Sequence, residues 1–183
     1  MRFFFIISYL VKHSIQKPMK PAALTTVLFI VLFGTACNDN KEYAYNEFVT
    51  DLFVREMNQV DGAQETFSDS TLIFSSDPST SIRLGAIAGN IANGAKSNLV
   101  SLDVMKSSNK DAAEFRNTVA DYFKSIEQYG KSAGELIEEK NIEKRHTLYK
   151  ALHRQYQTLN RMPDSVLLVQ KQYLKKAGLS PKE

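Results

Sequence analysis

The chain has one cysteine, no tryptophan, eight glycines and five prolines, and none of its twenty acidic residues precedes Cys37. Each shortage excludes something. A lone cysteine rules out an intrachain disulfide framework and any zinc centre built on paired thiolates. Few glycines and prolines, set among long charged stretches, favour helix. No apolar run reaches the roughly 20 residues that a membrane-crossing helix needs. The longest continuous candidate, Leu24 to Phe33, falls well short.

What is present fits one domain behind a targeting segment. The length of 183 residues accommodates a single ordinary domain plus a leader. The hydrophobic share of 43% and the charged share of 23% are those of a globular chain. The formal net charge of +3 is misleading, because Arg2, Lys12, Lys17 and Lys20 all precede Cys37. From Cys37 onward 19 basic residues face 20 acidic ones, a net charge of −1, which removes the case for a nucleic-acid binder. That charge is uneven. Residues 38–80 hold nine acids and two bases, and 140–183 hold ten bases and three acids, so the two ends are expected to pack as neighbours.

Met19-Lys20-Pro21, the apolar stretch Ala22 to Phe33, and Gly34-Thr35-Ala36-Cys37 have the three parts of a secretory signal: a cationic start, an apolar middle and small residues at the cut. Gly34-Thr35-Ala36-Cys37 resembles the lipobox of type II signal peptides of bacterial lipoproteins, in which small residues precede a cysteine that becomes the lipidated N-terminus. The match holds at Thr35 and Ala36 and departs at Gly34, where the family usually carries leucine. The resemblance implies cleavage between Ala36 and Cys37, acyl chains on Cys37, and attachment to a membrane. Asn38, where enteric inner-membrane lipoproteins carry aspartate, points to the outer membrane; the polar run Asn38 to Glu42 is similar to the export tags of surface-exposed lipoproteins. Counted from Met1 the leader is 36 residues, and counted from Met19 it is 18, the length typical of the class; the expected start is Met19, with a long cationic leader as the alternative.

Behind a polar tether over 37–43, apolar residues recur at helical spacing through 44–183. Phe48, Val49, Leu52, Phe53, Met57, Val60, Ala63 and Phe67 make a first stripe. Asp77 and Pro78 form a cap and first position for a second helix over about 79–106, with a seam of Leu84, Ala88, Ile91, Ala95, Asn98, Leu102 and Met105. Ser108 or Asn109 would cap a third, seamed by Phe115, Val119, Tyr122, Ile126, Tyr129, Ala133 and Leu136. A fourth runs from Leu148 to Tyr173, and Pro163 should kink or split it near Arg161. Steps of four and three are the seam of antiparallel bundles, so the fold expected is all-α, an up-down-up-down four-helix bundle. Whether Lys140 to Ile142 separates the third and fourth helices stays open, and Thr71 to Phe74 is the only candidate for a strand. Small residues from Gly85 to Ala95 should let a neighbouring backbone come close.

Catalytic patterns fail on inspection. Gly89 to Ser97 lacks the lysine directly after the second glycine that a phosphate loop requires, and neither Gly-x-Ser-x-Gly nor His-Glu-x-x-His occurs. Glu143 and His146 have the spacing of one arm of a carboxylate-bridged dimetal site, with no second arm. His146 and His153, seven apart, share a helix face and with Glu143 or Glu139 can form half of a zinc site; exposed histidines on a charged helix are commoner. Asn98 and Gln155 are expected to pair and fix register, or to line a cavity. The expectation is therefore a non-enzymatic, lipid-anchored envelope module with no cofactor, binding another envelope protein or a polysaccharide. The alternatives are a small-ligand or metal-binding bundle, and an inner-membrane or cytoplasmic protein with an uncleaved, unacylated leader.

Overall fold

In the computed structural model, residues 41–107 and 109–179 are described, and they belong to one unit spanning 39–180. Ala36, Cys37, both candidate start methionines and most of the expected tether lie outside them. The fold is all-α, with no strand among the described residues. Its elements are α1 (Lys41–Phe67), α2 (Ser70–Ile73), α3 (Pro78–Ser101), α4 (Ala112–Glu138), α5 (Ile142–Leu159) and α6 (Met162–Lys176).

The ends of these helices follow from local chemistry. Asp77 stands in extended conformation before α3, its carboxylate accepts from the Ser79 N–H at 3.0 Å, and Pro78 fills the position where a missing donor costs nothing. Asn141 accepts from the Lys144 N–H at 3.0 Å and starts α5, so α4 and α5 are separate helices. Pro163 splits the expected fourth helix: α5 stops at Leu159 and α6 restarts at Met162. Gly178, at φ 71°, takes the left-handed conformation that lets the Leu179 N–H return to Leu174 O at 2.9 Å and close α6.

Three boundaries depart from expectation, and the one strand candidate is helical, as an all-α fold requires. Helix α1 begins at Lys41, inside the stretch expected as tether, because Glu42 and Tyr45 already have tertiary partners. Thr71 to Phe74 is no strand: Asp69 caps Thr71 at 2.8 Å and winds one helical turn. Helix α3 ends at Ser101 and not near 106, and Leu102 to Val104 form a tight turn. Helix α4 begins at Ala112, since Asn109 spends its side chain on the Asp111 N–H in the preceding turn.

The seams are where the spacing puts them. Leu84, Ala88, Ile91, Ala95 and Leu102 of the α3 stretch and all seven α4 seam residues are buried. Helix α4 packs on α1, α3, α5 and α6 and is the axis of the unit. The small residues of α3 serve their expected purpose at one point. A Cβ added to Gly130 of α4 would stand 2.7 Å from Ala92 N and 2.9 Å from Ala88 O. Side-chain contacts join the helices: Glu56 of α1 meets Asn98 of α3, Arg116 of α4 meets Leu102 after α3, and Tyr129 of α4 meets Gln64 of α1.

Candidate functional site

The deepest polar group is Glu56, on the inner face of α1 and 1% exposed. It faces α3. Asn98 donates from Nδ2 to Glu56 Oε2 at 2.5 Å, and Arg55 donates to Asn98 Oδ1 at 3.0 Å, so the three form a short chain from surface to core. Gly94 makes the space for it: a Cβ there would lie 3.3 and 3.4 Å from the two carboxyl oxygens of Glu56. Glu56 Oε1 is buried without a hydrogen-bond partner. Desolvation therefore dominates and pushes the Glu56 carboxyl up from 4.5 to about 7, against the pull of Arg55 and the Asn98 hydrogen bond. In its neutral form the carboxyl still accepts the Asn98 hydrogen bond and avoids the cost of a buried charge.

Other polar contacts continue along α1. Tyr173 donates to Glu42 Oε2 at 2.8 Å, and Ser107 also donates to that carboxylate. Gln170 donates to Thr50 at 2.7 Å and to Asn46 at 2.9 Å. Tyr156 donates to Asp61 at 3.0 Å, Tyr129 to Gln64 at 2.5 Å, and Tyr149 to the Ser68 carbonyl at 2.9 Å. Burial raises the Tyr122, Tyr129 and Tyr173 hydroxyls, and burial beside Asp61 pushes Tyr156 up to about 12, so all four stay neutral, and Tyr129, Tyr156 and Tyr173 donate. The acid-rich and base-rich ends of the chain are thus neighbours, and neutral tyrosine and amide donors supply these contacts.

The residues singled out in the sequence for metal binding are placed on α5 but engaged otherwise. His146 is exposed and stacks on Phe74 with ring centroids 4.3 Å apart, while His153 meets Tyr149 edge-on at 4.5 Å. Glu139 accepts from the Asn141 N–H at 2.8 Å. Glu139 and Glu143 do share an open groove of about 350 Å³ with Lys144, Thr147 and Leu148 at the α4–α5 corner, and neither histidine lines it. Among the described residues no three His, Cys, Asp or Glu groups converge as a metal centre. The Asn98–Gln155 pair is corrected: Asn98 faces α1 and is taken by Glu56 and Arg55.

Glu56 was missed because a glutamate reads as a surface residue. The signal was nevertheless in the spacing, since Val49, Leu52, Glu56, Val60, Ala63 and Phe67 follow the apolar rhythm of α1 with Glu56 in an apolar slot. No described helix is long and apolar enough to cross a membrane. No family model matches the chain, nor does any curated protein or solved structure.

Proposed function

We propose that this chain is a lipid-anchored envelope protein, cut before Cys37, acylated there, and held at the outer membrane with its helical body as a non-enzymatic binding or structural module. The observation that carries this reading is the placement of the only cysteine. It follows Lys20, the apolar stretch 22–33 and Gly34-Thr35-Ala36, and precedes a polar run. A thioether-linked diacylglyceryl group gives such a thiol a use in an oxidising compartment. Each buried methylene contributes about 0.8 kcal/mol, so two or three chains hold where one would exchange. The body's buried polar side chains bond one helix to the next, and Glu56 is enclosed by α1 and α3. The partner is another envelope protein or a polysaccharide.

The test is metabolic labelling with an alkyne fatty acid, followed by mass spectrometry of the mature N-terminus. The wild-type chain takes up label and starts at Cys37; Cys37→Ala takes up none and leaves the membrane fraction. An unmodified peptide running through Cys37 refutes the proposal, and density-gradient separation of the two membranes checks the outer-membrane part.

A further inference from the structure

Charge is separated along the helical unit. Its two ends are the α1 end, where α1 begins, α3 runs into α4 and α6 stops, and the α2 end, where α1 stops, α3 begins and α4 turns into α5. At the α1 end, segments 41–46, 100–116 and 171–179 carry seven basic and four acidic residues. At the α2 end, segments 61–83 and 134–147 carry four basic and eight acidic ones. The described residues as a whole are balanced at 18 of each, so the separation is a matter of arrangement and not of composition.

The acids of the α1 end are also largely occupied. Asp103 is bridged by Arg116, Asp111 by Lys176 at 3.1 Å, and Glu42 accepts from Ser107 and Tyr173. Lys41, Lys106, Lys110 and Lys175 are exposed around them. In the same region two valines face solvent, Val100 at 65% and Val104 at 79% exposure. Val104 is held outward by the turn in which its N–H bonds Ser101 O at 3.1 Å.

We propose that the α1 end is a lipid-docking face whose occupant is an anionic bilayer surface, with the lysines at the headgroups and Val100 and Val104 at the acyl boundary. This rests on the reading that Cys37 is acylated. Only three residues separate Cys37 from Lys41, and four peptide steps reach at most about 14 Å. Surface potential decays within a Debye length of about 10 Å. The anchor therefore keeps the start of α1 near that field. The far end of α1, 27 residues or about 40 Å along the helix, is beyond it when the helix stands upright. An anionic surface attracts the basic end and repels the acidic one, so attachment and charge select the same orientation.

The test uses the full mature protein as isolated from membranes. The chain has no tryptophan, so a single Val104→Trp substitution gives an unambiguous fluorophore, and Ile82→Trp, at a position 74% exposed on the α2 end, is its control. Each is reconstituted on vesicles of phosphatidylcholine alone, or with about a third phosphatidylglycerol, containing acyl-chain-brominated lipid. The expected result is at least twofold stronger quenching at position 104 than at 82 on the anionic vesicles. That excess is expected to shrink in high salt and in a Lys106→Glu, Lys110→Glu background. Equal quenching at both positions, or an excess indifferent to anionic lipid, overturns the docking face while leaving the anchor intact. Failure of the wild-type protein to sediment with neutral vesicles overturns the anchor itself.

Discussion

Replacing Glu56 by glutamine removes an ionisable group whose charged form the fold disfavours. The carboxyl is pushed up to about 7 by burial, from an ordinary value of 4.5. The sign follows from proton binding. Between those two values the unfolded chain has lost the Glu56 proton and the folded chain keeps it, so stability falls as pH rises from about 4.5 to about 7 and levels off above. At about 1.4 kcal/mol per pH unit, that interval is worth about 3 kcal/mol. Glutamine preserves the shape and the acceptor for Asn98 Nδ2 but carries no charge, so Glu56→Gln is expected to be more stable than wild type at pH 8 by up to about 3 kcal/mol. For a domain of this size that is about 6–12 °C in Tm. The two proteins should converge near pH 5. The assay is urea unfolding followed by far-ultraviolet circular dichroism at pH 5 and pH 8, with the slope m compared to confirm that the unfolded states match. A glutamine variant less stable than wild type at pH 8, with unchanged m, would refute the reasoning. It would mean that the ionised carboxylate is better solvated or better paired than its surroundings show.

Gly130→Ala should destabilise by about 1–3 kcal/mol, because the new methyl stands 2.7 Å from Ala92 N, a backbone atom that cannot swing aside. Gly134→Ala, with nothing within 4 Å of its Cβ position on the same helix, should stabilise by about 0.5–1 kcal/mol; thermal unfolding of the pair separates packing from propensity. Asp77→Ala should lower Tm by removing the cap of α3. Hydrogen bonds from Ser79 hold the Asp77 carboxyl below the ordinary range, so its contribution is present above that range and lost as pH falls through the lowered value. The Tm gap between wild type and Asp77→Ala should therefore close in strong acid, and a gap that persists undiminished there would contradict the cap.

The architecture is readable because it rests on periodicity, and the buried polar contacts are not because they are exceptions to it. The four-and-three spacing from Phe115 to Leu136 predicts seven of the eleven buried residues of α4, leaving out Ala112, Phe123, Gly130 and Ile137 beside the seam, and Pro163 predicts the break before α6. Helix ends were harder. Asn109 is a good cap by type, yet its side chain closes a turn onto Asp111, one residue ahead of Ala112, a choice made by local geometry that composition does not carry. Asn98 reads as a polar residue on an apolar seam, but its partners are Glu56 and Arg55 and not Gln155. Pairing across a bundle depends on which faces meet, and spacing within one helix does not say which. Glu56 shows the same limit in reverse, being an apolar slot filled by a charged residue type, and only the facing Gly94 makes that tolerable.

Helix α1 joins these threads. Its buried face includes Thr50 and Glu56, and α3, α4, α5 and α6 each reach it through a hydrogen bond from Asn98, Tyr129, Tyr156 and Gln170 respectively. Such bonds net only about 0.5–1.5 kcal/mol each, but a buried member left without its partner costs more than the bond contributed. They therefore specify where α1 sits more than they stabilise it. A slide of one turn along its neighbours, which an apolar face tolerates, would strand every one of these donors at once. Helix α1 is also the element nearest Cys37 in sequence, so any load carried from an anchored cysteine enters the body at Lys41. There the first turn is clamped by Ser107 and Tyr173 on the Glu42 side chain. A helix whose register is fixed by discrete partners passes that load on to its neighbours; one held by an apolar stripe alone would slip.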